Sequence, residues 1–106
     1  MSVERVIVDG NVAVLVSENF GAGWSTWNLE YQETLLFHPK LVQACERGLN
    51  EGEVKLLLEN MGYDDVYCGG WDDVSIEYVP QGQRFGLHEY DGSESLFIED
   101  PRRFTA

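Results

Sequence analysis

The chain changes from a strand-like to a helix-like pattern at Phe20-Gly21-Ala22-Gly23-Trp24-Ser25-Thr26-Trp27-Asn28. Its two glycines let the backbone approach other backbone or a ligand closely. The segment is not a phosphate-binding loop, because it lacks both the third glycine of a dinucleotide-binding turn and a Lys-Ser/Thr pair. Asn28 is the predicted N-cap of the next helix, since acidic residues follow it in the first turn. If the segment binds a ligand, we expect Trp24, Ser25 and Asn28 to line the pocket.

A hairpin is predicted before this segment. Residues 5–8 and 12–17 are β-branched and apolar, and they are separated by Asp9-Gly10-Asn11. Asp-Gly between two such runs is a strong hairpin signal. Both runs are almost continuously apolar, which indicates that much of the hairpin is covered on both faces.

Three helical segments are predicted after it. The first spans residues 29–37, the second spans 39–47 and ends at Gly48, and the third begins after Asn50 as its N-cap. The apolar residues of the third segment share one helix face, namely Val54, Leu57, Leu58 and Met61.

The C-terminal half has the shorter period of strands. We predict strands at 66–68, 74–79, 83–90 and 94–98, with a loop at 69–73 and a tail from 99 to 106 in which Pro101 breaks any strand. Strands and helices are therefore segregated along the chain. The sequence predicts a single α+β domain spanning 1–106. Its antiparallel sheet combines the N-terminal hairpin with a C-terminal three-stranded meander, packed against two or three short helices.

Acidic residues dominate the composition. Nineteen acidic residues against seven basic ones give a net charge of −12. Between residues 59 and 100 only Arg84 opposes eleven of them: Glu59, Asp64, Asp65, Asp72, Asp73, Glu77, Glu89, Asp91, Glu94, Glu99 and Asp100. Such a surface repels nucleic acids and anionic membranes and attracts basic proteins. An acidic surface also keeps a small protein soluble, so the charge alone leaves both interpretations open.

The sequence predicts neither catalysis nor a bound cofactor or metal. No serine or cysteine signature frames His38 or His88 as a general base. The adjacent pairs Asp64-Asp65 and Asp72-Asp73 lack the alternate spacing of calcium loops. There is no apolar run long enough to cross a membrane and no signal-peptide pattern, so we expect a cytoplasmic protein. Its two cysteines are then expected to be reduced.

Three segments resemble a group of small proteins encoded by phages and prophages. They are residues 21–28, the run His38-Pro39-Lys40-Leu41-Val42, and the hairpin motif Glu89-Tyr90-Asp91-Gly92-Ser93-Glu94. In that group a glycine-aromatic loop follows an N-terminal strand, a short helix follows the loop, and a C-terminal hairpin carries Glu-Tyr-Asp-Gly-x-Glu. The resemblance implies a viral setting, with the host cytoplasm as the location. It supplies no catalytic residue.

The leading hypothesis is a non-enzymatic accessory protein that binds a basic host protein. In its concrete form the protein inhibits a nucleic-acid-binding defence factor by presenting carboxylates in place of phosphates. The predicted contact residues are Asp64, Asp65, Trp71, Asp72, Asp73 and Glu77, with Trp71 exposed as the anchor. Two alternatives stay open: a ligand- or peptide-binding module that uses the glycine-aromatic loop, and an assembly protein that associates through the edge of the first hairpin. The sequence does not decide the oligomeric state.

Overall fold

The α+β class is confirmed in a computed structural model that describes residues 3–98 and 104–106. The predictions for Glu99, Asp100 and Pro101 lie outside the described residues. The strands are β1 (Ile7–Val8), β2 (Asn11–Ser17), β3 (Val74–Pro80), β4 (Arg84–Tyr90), β5 (Ser93–Ile98) and β6 (Phe104–Thr105). The helices are α1 (Gln32–Phe37), α2 (Pro39–Glu46) and α3 (Glu51–Asn60). None of the described helices is long and apolar enough to cross a membrane.

The predicted turn at Asp9-Gly10 forms, and Asp91-Gly92 forms a second turn of the same kind. Asp9 and Gly10 have φ values of 52° and 80°, and Asp91 and Gly92 have φ values of 49° and 88°. Positive φ at both central residues is the signature of the type I′ turn, whose twist matches that of a hairpin. The turns join β1 to β2 and β4 to β5.

Strand pairing differs from a C-terminal meander. The strands form two antiparallel sheets, ordered β1-β2-β3 and β5-β4-β6. β3 therefore pairs with β2 rather than with β4, which gives the doubly covered strand β2 a partner on each side. The place beside β4 is taken by β6, so the prediction of a tail without strand is wrong at Phe104–Thr105. The backbone of Ala106 closes this arrangement by bonding to Gly82 and Gln83 at 2.7 and 3.0 Å.

Two cores lie on opposite faces of β2, which is buried from Val12 to Ser17. Ala13 and Leu15 belong to the core that includes α2, α3, Trp24 and Trp71. Val12, Val14 and Val16 belong to the second core, which includes Phe37 of α1 and Phe85 of β4. The continuous apolar run therefore predicted the double burial of β2 correctly, whereas Ile7 and Val8 of β1 stay about half exposed.

The helices after Pro39 form as predicted, and their caps are visible. His38 Nδ1 accepts a hydrogen bond from the Lys40 backbone N–H at 3.1 Å at the start of α2. Asn50 and Glu53 form a reciprocal capping box at the start of α3. Gly48 and Gly62 follow α2 and α3 with φ values of 70° and 95°, as helix-ending glycines do.

The segment before α1 departs from the prediction. Two 3-10 turns, Ser25–Trp27 and Leu29–Tyr31, precede α1, which begins only at Gln32. The prediction of Asn28 as N-cap is wrong, because its side chain bonds to the Tyr67 backbone instead. That same contact explains why residues 66–68 form no strand: the amide of Asn28 takes the place of a neighbouring strand.

Candidate functional site

A buried carboxylate holds the glycine-aromatic loop against the C-terminal hairpin. Glu94 is only 2% exposed, and β5 directs it towards the loop. One oxygen, Oε1, accepts from the Ser17 N–H at 3.0 Å. The other, Oε2, accepts from the Trp24 N–H at 2.8 Å, the Thr26 N–H at 2.9 Å and the Thr26 hydroxyl at 2.6 Å. Four donors thus compensate for the burial of this charge.

The loop also contacts the tip of the hairpin through backbone. The Gly21 N–H donates to the Asp91 carbonyl at 2.7 Å. A Cβ atom on Gly92 would lie 2.4 Å from the backbone nitrogen of Ala22, so only glycine fits there. Two of the three segments that resemble the phage-encoded group are therefore one structural unit.

A second carboxylate lies on the same sheet face in a more open position. Glu89 of β4 is the cross-strand partner of Glu94 and is exposed. Its Oε2 accepts from the Gly92 N–H at 2.8 Å and from the Trp27 indole N–H at 3.1 Å. These two donors, Gly92 first, lower the pKa of Glu89 below its usual value of 4.5. Glu89 is therefore a fixed negative charge at neutral pH.

Two exposed aromatic rings lie next to Glu89. Trp27 and Tyr67 stack with their centroids 5.8 Å apart and their planes 21° apart. They are 41% and 51% exposed. Asn28 fixes the backbone of Tyr67, because its side-chain amide accepts from the Tyr67 N–H at 2.8 Å and donates to the Tyr67 carbonyl at 2.9 Å. The rings are thus preorganised rather than loose.

A second group of acidic and aromatic side chains lies in residues 30–31 and 63–65. Tyr31 lies edge-on to Tyr63 at 5.0 Å, and a hydrogen bond to Asp65, together with burial, raises the pKa of Tyr31 to about 12. The charges of Glu30 and Asp64 act in the same direction. The hydrogen bonds between Asn28 and Tyr67 bring residues 27–31 beside residues 64–67. We call the acidic and aromatic side chains of these segments, together with Glu89, the acid–aromatic strip, and its members are Trp27, Glu30, Tyr31, Asp64, Asp65, Tyr67 and Glu89.

A groove of about 200 Å³ opens beside Glu89. Its lining combines a carboxylate, a hydroxyl and an amide with three apolar side chains: Thr26, Leu29, Gln32, Leu87, Glu89 and Phe104. We call it the Glu89 groove. Trp27 contacts its edge through the hydrogen bond to Glu89.

The prediction that Trp71 is an exposed anchor is wrong. Trp71 is only 3% exposed, its ring packs against Trp24 at 5.2 Å, and its indole N–H donates to the Leu49 carbonyl at 2.7 Å. The preceding glycine explains the error: a Cβ on Gly70 would lie 2.5 Å from the Gly23 carbonyl oxygen. Gly70 therefore allows close packing of this segment against the loop, and Trp71 is buried rather than exposed.

The predicted acidic contact residues lie in different surroundings. Asp64 and Asp65 belong to the acid–aromatic strip. Asp73 accepts from the Asn19 amide at 2.9 Å, and Glu77 has its pKa raised by burial and then by the charge of Glu18. Asp72 is exposed on the 3-10 turn Trp71–Asp73 that precedes β3.

The predicted ligand pocket of Trp24, Ser25 and Asn28 does not form. Trp24 is fully buried, and its indole N–H donates to the Leu35 carbonyl at 2.9 Å. Ser25 is also fully buried, and its hydroxyl has no partner among the described residues. The amide of Asn28 is occupied by the backbone of Trp24 and Tyr67.

Sequence reasoning did not identify Glu89, Glu94 or Trp27 as site residues. The alternation of side chains along β5 could have identified Glu94. It places Glu94 on the same strand face as Leu96, which packs against the second core. A carboxylate on an apolar strand face requires donors, and the neighbouring glycine-rich loop supplies them.

Among the described residues, no three His, Cys, Asp or Glu side chains come together as a metal site. Burial raises the pKa of both Cys45 and Cys68, which disfavours the reactive thiolate. His88 lies on the other face of its sheet, against Phe97 at 4.2 Å. No family model, curated protein or solved structure matches this chain. The resemblance to the phage-encoded group therefore stays a prediction.

Proposed function

We propose that this protein is a non-enzymatic binding protein that takes a basic partner protein on its acid–aromatic strip. The observation that supports the proposal is the stacked pair Trp27–Tyr67, held in place by Asn28 and flanked by the ionised Glu89. Tryptophan and tyrosine are the residue types that contribute most to protein interfaces. Rings that are already fixed lose little entropy when a partner binds.

Charge determines the kind of partner. The strip carries four carboxylates, Glu30, Asp64, Asp65 and Glu89, on a chain with a net charge of −12. Such a surface accelerates the encounter with a positively charged protein and disfavours acidic ones. The partner is therefore a protein with a patch rich in arginine or lysine.

The most specific form of the proposal follows the predicted viral setting. A protein that binds DNA or RNA has a basic groove spaced for phosphates, and surface carboxylates can occupy it. The proposed partner is then a host nucleic-acid-binding defence factor, inhibited in the host cytoplasm by mimicry of its substrate.

Affinity capture with charge-matched variants tests the proposal. The strip variant carries Glu30→Gln, Asp64→Asn and Asp65→Asn. The matched variant carries Glu4→Gln, Glu46→Gln and Glu59→Gln, so both lose three negative charges. We expect wild-type protein and the matched variant to retain a basic protein from bacterial lysate at low salt. The strip variant is expected to retain at least tenfold less of that protein.

Salt dependence completes the test. Contacts between exposed charges weaken when the ionic strength rises, because the Debye length falls from about 10 Å at 0.1 M to about 3 Å at 1 M. Capture should therefore decline between these concentrations. Retention that is equal for both variants, or independent of salt, contradicts the proposal.

The exposed edge of the first hairpin favours a second candidate, an assembly protein. β1 has no strand on its outer side among the described residues, and Ile7 and Val8 are 48% and 46% exposed. An open edge with apolar side chains is a template for strand addition. Light scattering should then give a mass that rises with concentration and reverts to the monomer in Val8→Lys. A monomer at all concentrations contradicts this candidate.

A further inference from the structure

The Glu89 groove has the chemistry of a site for one long cationic side chain. Its floor and walls include Leu29, Leu87 and Phe104, which suit a chain of methylene groups. Its polar lining consists of groups that can accept hydrogen bonds, from Glu89, Thr26 and Gln32.

The donors around Glu89 leave part of its carboxylate available. Both the Gly92 N–H and the Trp27 indole N–H bond to Oε2. Within residues 3–98 and 104–106, no hydrogen bond to Oε1 is found. The Thr26 hydroxyl donates its proton to Glu94, so its lone pairs remain free to accept a further donor.

We propose that the Glu89 groove binds one arginine side chain of the basic partner. The inference rests on the proposed function and names the anchor of that interaction. The guanidinium lies against Glu89, and its stem packs on Leu29 and Leu87. A guanidinium has five N–H donors in one plane and can therefore bond to Glu89, Thr26 and Gln32 together. It also packs well on an aromatic ring, and Phe104 supplies one in the groove lining.

Lysine fits the same groove less well. An ammonium group is a compact, strongly hydrated charge with three donors and no plane to stack on a ring. Citrulline has a neutral side chain of nearly the same shape as arginine, and it therefore lacks the electrostatic attraction to Glu89. Arginine, lysine and citrulline therefore form a graded series for the experiment.

The probe is the peptide acetyl-Gly-Ser-Arg-Ser-Gly-amide, with matched peptides that carry lysine or citrulline. The readout is the NMR resonance of the Trp27 indole N–H, identified by its disappearance in Trp27→Phe. We expect saturable shifts with the arginine peptide, at least threefold weaker binding of the lysine peptide, and no saturable shift with the citrulline peptide.

Two variants locate the binding in the groove. Glu89→Gln keeps the size of the side chain and should weaken arginine binding at least tenfold. Leu29→Ser removes part of the apolar wall at an exposed position and should weaken it about threefold. The charge-matched control Glu59→Gln should bind as the wild type does. Equal binding of the arginine and citrulline peptides, or unchanged binding by Glu89→Gln, overturns the inference.

The two proposals fail in different ways. If the peptide does not bind but the strip variant still loses the captured basic protein, the arginine site is wrong and the proposed function stands. If the strip variant and the matched variant capture equally, the proposed function itself is wrong.

Discussion

Glu94 shows how one side chain connects two distant parts of the chain. Its cross-strand neighbour Glu89 is also acidic, and like charges directly opposite one another destabilise a sheet. The two carboxylates are tolerated because each has its own donors: Glu94 accepts from Ser17, Trp24 and Thr26, whereas Glu89 accepts from Trp27 and Gly92. Glu94 organises the loop internally, while both donors to Glu89 bond to Oε2 and leave Oε1 without a hydrogen bond from the described residues.

Replacing Glu94 should therefore destabilise the protein strongly. Glu94→Gln removes the charge and turns an NH2 group towards N–H donors that then lack an acceptor. We expect the free energy of unfolding, measured with urea, to fall by about 3 kcal/mol. Glu59→Gln, at an exposed helix position, should change it by less than about 0.5 kcal/mol. A Glu94→Gln variant as stable as Glu59→Gln contradicts the assigned role.

Two buried serines provide a matched pair. The Ser17 hydroxyl donates to the Ala22 carbonyl at 3.0 Å, whereas the Ser25 hydroxyl has no partner among the described residues. Ser17→Ala should lower the free energy of unfolding by about 1 kcal/mol, and Ser25→Ala should leave it unchanged or raise it. Urea denaturation measures both. Destabilisation by Ser25→Ala equal to that by Ser17→Ala would mean that Ser25 has a partner after all.

At the scale of elements, the two Asp-Gly hairpins have the same turn but different surroundings. A Cβ on Gly10 meets nothing within 4 Å, whereas one on Gly92 meets the backbone of Ala22. The C-terminal turn is thus also a packing surface for the glycine-aromatic loop. The first turn has no such packing at its glycine, and its contact is a hydrogen bond that the Gly10 carbonyl accepts from the Gln81 N–H at 2.9 Å.

Alanine substitution should separate these two roles. Gly10→Ala places a Cβ at positive φ and should cost about 1–2 kcal/mol of unfolding free energy. Gly92→Ala adds a backbone clash to the same strain, so we expect a further loss of about 1–3 kcal/mol. Thermal or urea unfolding of both variants provides the measurement. Equal losses would show that the loop does not pack on Gly92.

His38 caps α2, and because its imidazole titrates, the free energy of unfolding of the protein depends on pH. Burial, followed by the charge of Lys40, lowers the pKa of His38 below its usual value of 6.5, although Glu4 opposes the shift. The unfolded chain therefore holds the proton more tightly than the folded protein. This contribution is complete above about pH 6.5 and is lost as the pH falls towards the folded pKa.

The variant His38→Asn isolates that effect, because asparagine is also a good N-cap but does not titrate. Between pH 7.5 and pH 5 we expect the wild type to lose unfolding free energy relative to His38→Asn. Urea denaturation at each pH gives the difference. A difference that stays constant across this range contradicts the prediction.

Local signals predicted most of the elements. The Asp-Gly turns, the N-cap at Asn50 and the burial of β2 on both faces can be predicted from the sequence, because each depends on residues adjacent in sequence. The pairing of β3 with β2 and the bonds of Asn28 to Tyr67 join residues far apart in the chain. No local pattern encodes them. The predicted exposure of Trp71 is wrong for the same reason, since the burial of this side chain depends on the distant loop.

At the scale of the whole molecule, net charge and local geometry lead to different expectations for partner binding. A charge of −12 draws any basic molecule towards the protein. The acid–aromatic strip instead requires that particular residues hold the partner. Variants with the same net charge but different positions of the lost carboxylates distinguish the two.

The most direct measurement is the dissociation constant of nona-arginine for wild-type protein, the strip variant and the matched variant at 50 mM and 300 mM salt. We expect tight, salt-sensitive binding by the wild type and the matched variant, and binding at least tenfold weaker by the strip variant at the lower salt. Equal dissociation constants for the two variants would contradict it, because binding would then follow net charge alone.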